Sequence, residues 1–159
     1  MRKLLMLTSL TTILLLALPV SPAAAASIPL AVNFEVHTEF GSDGTGPSFG
    51  PFTATGPAVD DGLICPRGDT IDIYGRVTGF RSVKGMNFHI IKRFTCADGS
   101  GDFLVKLEVR IDQKGDNFNW MIIDGTGNYD NLHGTGQGIG LPADYGVLDL
   151  YKGVVLSTK

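Results

Sequence analysis

Apolar and polar residues alternate at period two along most of this chain, the pattern of strands that turn one face to a core and the other to water. Val32, Phe34, Val36 and Phe40 share one face of a first strand, with Asn33, Glu35, His37 and Glu39 on the other. A glycine- and proline-rich loop over 41–51 precedes a short strand, FTATG, and PAVDDGLICPRGD reads as a long connection. Ile71, Ile73 and Val77 then oppose Asp72, Tyr74, Arg76 and Thr78. Met86, Phe88, Ile90, Phe94 and Cys96 oppose Asn87, His89, Arg93 and Thr95. Asp98-Gly99-Ser100-Gly101 predicts a hairpin loop, followed by the most regular strand, with Phe103, Val105, Leu107, Val109 and Ile111 facing inward. Gly115-Asp116-Asn117 is expected to turn the chain into a strand around Trp120, and GVLDLYKGVVLS closes the chain. No segment keeps a 3.6-residue apolar period over three turns. The fold class is therefore all-β, with seven or eight antiparallel strands that form a sandwich or a closed barrel.

The stretch from Phe118 to Gly138, FNWMIIDGTGNYDNLHGTGQG, carries the densest information. Phe118, Trp120 and Ile122 share one face of a strand and Asn119, Met121 and Ile123 the other. Gly125 and Gly127 permit positive φ, and Asp124 can bond backbone two residues on, so a tight reversal is expected here. Tyr129 and Leu132 would fold back over one end of the core. Gly134, Gly136, Gly138 and Gly140 recur at every second position, which strips one face of the returning strand and admits something large against it. This segment resembles the signature of the allene oxide cyclase and dirigent barrels, where a strand leads into Gly-Gly-Thr-Gly, an aromatic and a further glycine. Here Asp124 stands in place of the first glycine. The resemblance implies one eight-stranded antiparallel barrel, calycin-like in outline, and extends loosely from FTATG to the GTGQG strand. The acidic and polar residues that the cyclases use on their substrate have no match here, so the glycine turn carries over as structure alone.

The ends and the composition narrow the function classes. Residues 1–26 have a basic start at Arg2 and Lys3, an apolar run from Leu4 to Val20, and small residues at Ala24 and Ala26, the layout of a cleaved signal peptide. A membrane anchor is the alternative reading, but Thr8, Ser9, Thr11, Thr12, Pro19 and Pro22 interrupt the run before a spanning length. Cleavage after Ala26 leaves about 133 residues, 27–159, sufficient for one domain with one core. It also removes two of the 13 basic residues, against 16 acidic ones. The mature chain is then mildly acidic, without the basic patch that nucleic acid requires or the basic amphipathic helix of a membrane-surface protein. The expected localisation is extracellular or periplasmic.

In an exported chain, the pair Cys65 and Cys96 reads as one disulfide. Catalytic cysteine chemistry lacks a partnered base in either LICPRG or RFTCADG. Asp-Gly-Thr-Gly at Asp43 and Asp124 does not meet the Asp-Thr-Gly order of aspartic proteases, and Asp98, Ser100 and Asp102 imitate only the start of a calcium loop. His37, His89 and His133 lack metal-ligand spacing, so neither a metal nor a cofactor is expected. Lys92 stands apart, because it falls in phase with Met86, Phe88, Ile90 and Phe94 on the interior face. It must sit at a barrel mouth, meet a carboxylate, or neutralise. The sharper reading is a cavity lysine for an anionic or carbonyl-bearing ligand. Candidate ligand-binding residues are Lys92, Trp120, Phe88, Phe103 and Tyr129, with Gly125, Gly127 and Gly134 as structural turn residues. Three functions remain: a barrel that binds a small apolar or amphipathic molecule, a cofactor-free isomerase or cyclase, and a structural or interaction protein with a filled core. A homo-oligomer is compatible with all three.

Overall fold

A computed structural model of the chain describes residues 28–40, 47–78, 85–112 and 115–158. The expected signal segment and Asp43 lie outside these residues. Eight strands follow one another around a closed antiparallel barrel: β1 (Leu30–Thr38), β2 (Phe49–Thr55), β3 (Arg67–Thr78), β4 (Met86–Cys96), β5 (Asp102–Asp112), β6 (Gly115–Gly125), β7 (Leu132–Ala143) and β8 (Gly146–Ser157). Each pairs with its sequence neighbour, and β8 returns to β1 through pairs such as Phe34 with Tyr151. Closure removes the two unpaired edges that an open sheet would expose. Among the described residues, a helical turn, α1 (Pro57–Asp60), and a 3-10 turn, η1 (Gly127–Tyr129), complete the elements.

The inward alternation read from the sequence holds in β1, β4, β5 and β6. Val32, Phe34 and Val36 are buried, as are Phe94, Cys96, Phe103, Val105, Leu107, Phe118, Trp120 and Ile122. Thr38 ends β1 on the same face, and Phe40, in phase but beyond the rim, stands exposed. The β6 strand begins earlier than expected, since Gly115 to Asn117 pair with β5 rather than turn. Asp116 is thereby carried onto the interior face with Phe118 and Trp120.

The alternation expected for β3 is corrected. Thr70 and Asp72 point inward opposite Phe94 and Lys92, while Ile71 is exposed on the outer wall. The register shifts between Asp72 and Tyr74, so Ile73 is the extra residue of a bulge. A bulge reverses the phase of everything after it. Gly75 and Val77 consequently stand on the inner side opposite Ile90 and Phe88. Two residues that a uniform period of two places on one face, Ile71 and Val77, thus lie on opposite sides.

Glycines let the barrel close around its aromatic filling. Along β6, β7 and β8 the register sets Ile122 beside Gly134 and Val155, Trp120 beside Gly136 and Gly153, Phe118 beside Gly138 and Tyr151, and Asp116 beside Gly140 and Asp149. A Cβ on Gly136 would stand 2.7 Å from Trp120 Cε2, and one on Gly138 would collide with the Phe118 ring. In the turn before β7 the two glycines differ. Gly127 has φ 61°, and a Cβ there would stand 2.5 Å from Ser100 O. Gly125 has no positive φ, so its lack of a side chain serves close approach, since a Cβ would run into the Tyr129 carbonyl oxygen.

Candidate functional site

The two ends of the barrel are built from different residues. At one end, Phe34 sits at the centre of a ring cluster, with the centroids of Phe94, Trp120, Tyr151, Phe103 and Phe52 at 5.5, 5.9, 6.0, 6.1 and 6.3 Å. Phe94 and Phe103 stack at 5.0 Å. The connection between β2 and β3 folds over this end, burying Ala58 and Ile64, and is fastened by the Cys65–Cys96 disulfide. Tyr129 closes the remaining gap with its ring 5.4 Å from Phe103 and its hydroxyl 2.8 Å from Ser100 Oγ.

The opposite end is hollow. A cavity of about 760 Å³ opens there, walled by Phe88, Ile90, Leu107, Val109, Ile111 and Val147 and floored by polar groups. Lys92 Nζ lies 3.0 Å from Asp72 Oδ1, close enough for an ion pair though not aligned as a hydrogen bond. The same ammonium donates to Thr38 Oγ1 at 3.2 Å, and Thr38 Oγ1 donates to Asp149 Oδ2 at 2.7 Å. Four residues from β3, β4, β1 and β8 are thus joined in a line across the floor. Asp116 and Tyr151 complete the lining there.

Electrostatics at this floor depart from those of surface groups. Burial pushes the Asp149 carboxyl up from 3.8 to about 6, against the opposing pull of the Thr38 hydrogen bond and the Lys92 charge. Burial also raises Asp116. Tyr151 is held well above its usual value, by burial first and then by Asp149, Asp72 and Asp116. A carboxyl that titrates near neutrality can give or take a proton under ordinary conditions. Tyr151 Oη and Asp116 Oδ1 are buried without a hydrogen-bond partner.

Of the residues singled out from sequence, Lys92 and Phe88 line this cavity. Trp120, Phe103 and Tyr129 do not: they belong to the packed end, at 2%, 0% and 3% exposure. The reason for Trp120 is the pair of glycines opposite it, which accept the indole into the wall, where its Nε1 donates to Gln137 O at 3.2 Å. Of the three outcomes expected for Lys92, the structure shows the second: the residue is 2% exposed and meets the Asp72 carboxylate. Asp116 reads as a turn residue in the sequence and Asp149 carries no signal of its own, although each is in phase with a buried aromatic, Phe118 and Tyr151. Asp72 was hidden by the bulge that follows it.

A second hollow, of about 820 Å³, is a trough on the outer wall over Asn33, Glu35, Asn119, Gln137 and Lys152. It is of similar volume, and its lining contains none of Asp72, Lys92, Asp116 and Asp149. On the same outer wall, His89 Nδ1 lies 2.5 Å from Glu108 Oε2, and Lys106 Nζ lies 2.8 Å from Glu108 Oε1. Among the described residues no cluster of three metal-ligating side chains occurs, and no helix is long and apolar enough to cross a membrane.

No family model matches this chain, and no curated protein matches it in sequence. Among solved structures it is similar to the crystal structure of a protein with unknown function from the DUF3224 family from Shewanella oneidensis MR-1. The identity is 12% and the TM-score 0.41, over 84% of this chain and 98% of the other. None of these comparisons names an allene oxide cyclase or a dirigent protein. What the sequence resemblance implied and the structure shows is the eight-stranded antiparallel barrel.

Proposed function

We propose that this protein is a secreted barrel that holds a small amphipathic molecule in its open end. The observation that carries the reading is the cavity of about 760 Å³, whose walls are apolar and whose floor converges several polar groups. That size and that division of surface are the usual attributes of a small-molecule site, and barrels of eight strands are wide enough to enclose one ligand. The disulfide supports export, because such bonds persist chiefly outside the reducing cytosol. A filled-core structural protein would have no use for a hollow half. The binding reading predicts saturable uptake of the neutral dye Nile red, with a blue-shifted emission that is lost in Val109→Trp, where an indole occupies the cavity. Emission that never saturates, or that Val109→Trp leaves unchanged, overturns it.

A second reading, a cofactor-free isomerase or cyclase of the kind the allene oxide cyclase resemblance suggests, is favoured by Asp149. Its carboxyl, pushed up to about 6 by burial beside a lysine ion pair, has the properties of a general acid or base facing the cavity. In that reading Lys92 and Thr38 position the carboxyl and the apolar walls fold the substrate.

A further inference from the structure

The floor of the cavity carries more acid than base. Asp72, Asp116 and Asp149 line it, against Lys92 and, at the exposed rim, Arg76. The Lys92 ammonium is ion-paired with Asp72 and donates to Thr38, so its charge is already balanced within the floor. What remains is acceptor-rich. Asp149 receives the Thr38 hydroxyl on one oxygen, and Asp116 Oδ1 is buried with no partner. Independently of the carboxylates, Tyr151 is 3% exposed, lines the cavity, and its hydroxyl has no hydrogen-bond partner. Buried polar groups of this kind are nearly always satisfied in a native state, which points to a visiting donor.

The backbone brings two of these acids together across a strand with no side chain between them. Asp116 pairs in register with Gly140, and Gly140 with Asp149, so the two carboxylates flank a position that has no side chain. A Cβ at Gly140 would stand 2.5 Å from Asp116 Oδ2. Resting on the binding reading above, we propose that the ligand is an amphipathic amine, its ammonium seated between Asp116 and Asp149 beside Tyr151 and its apolar body lying against Phe88, Ile90 and Val109. An ammonium supplies three donors and a compensating charge to a floor that lacks both. A carboxylate ligand would meet the unbalanced acids, and a neutral alcohol would satisfy hydrogen bonds without balancing charge.

Three probes of equal chain length separate these cases: decylamine, decanol and decanoate, titrated calorimetrically into the purified protein at pH 7.5, below micellar concentrations. Decylamine is expected to bind at least about tenfold more tightly than decanoate, with decanol between them. Asp116→Asn and Asp149→Asn should each narrow the gap between decylamine and decanol, weakening decylamine by a larger factor than decanol. Decanoate binding as tightly as decylamine, or an amine preference that survives in both variants, overturns the amine assignment. If decanol binds with no discrimination by charge, the cavity reading stands and this inference falls. If none of the three binds, both fall. The ranking is read on the unmodified protein, so it decides the matter even where a variant does not fold.

Discussion

The sealed end and the open end of this barrel are made by the same eight strands, yet one is a core and the other a site. At the sealed end the inward positions are mostly aromatic and aliphatic side chains, with Thr70 the buried polar one and its hydroxyl donating to Gly50 O, and the end is cross-linked by Cys65–Cys96 and capped by Tyr129. At the open end the inward positions of β1, β3, β4, β6 and β8 include Thr38, Asp72, Lys92, Asp116 and Asp149, beneath apolar walls. Apolar burial of the first kind stabilises a fold, whereas buried ionisable groups of the second kind cost stability unless they are paired. The difference indicates a division of labour, in which a surplus of packing at one end offsets the unfavourable groups retained at the other.

Phe34→Ala tests the packing end at its centre and has the largest expected effect. The ring touches five aromatic neighbours, and its loss leaves a cavity that closed strands cannot collapse to fill. A destabilisation of about 3–5 kcal/mol is expected, read as a fall in the urea midpoint. A fall of under about 1 kcal/mol, the size of an ordinary surface change, would show that the cluster is not the core.

Much of this division was legible in the sequence. Period-two alternation located the strands, and the glycines at every second position of β7 marked the wall that admits Trp120 and Phe118. The sealed end was legible because apolar residues in phase declare their own burial. The open end was less so. Asp72 reads as an outer-wall residue because Ile71, Ile73 and Val77 look like one apolar face, and no local signal marks the bulge at Ile73 that separates them. Asp116 reads as part of a turn, since a Gly-Asp-Asn triplet has turn composition whether or not the neighbouring strand extends to pair with it. Lys92 was detectable by phase, but its partner was not, because the pairing of β3 with β4 that joins Asp72 to Lys92 is a tertiary fact.

Removing the cross-link tests the sealed end with a smaller effect. The bond joins residues 31 apart in sequence. On the chain-entropy model a loop of that length contributes about 3.5 kcal/mol. Cys65→Ser with Cys96→Ser should lower the urea midpoint accordingly. Affinity for Nile red in the folded fraction should be unchanged, because the bond lies at the end away from the cavity. Equal loss of affinity and stability would mean that the two ends do not behave separately.

The smallest expected effect has the opposite sign and belongs to the open end. The Asp149 carboxyl has a pKa of about 6 in the folded protein against 3.8 ordinarily, because burial disfavours its charge. Between those two values the folded state binds more protons than the unfolded state, so this group lowers stability progressively as pH rises through that window and by a constant amount above it. Asp149→Asn cannot ionise and escapes the penalty. It should match the parent near pH 4 and exceed it above pH 6. The full shift corresponds to about 3 kcal/mol at most, and relaxation of the floor around the ionised carboxylate brings the expected gain nearer 1 kcal/mol. The measurement is the difference in urea-unfolding free energy between the two proteins across that pH range, in which titration of all other groups cancels to first order. A difference that is flat with pH, or a variant less stable at neutral pH, would place Asp149 in a compensated environment and make the open end an extension of the core.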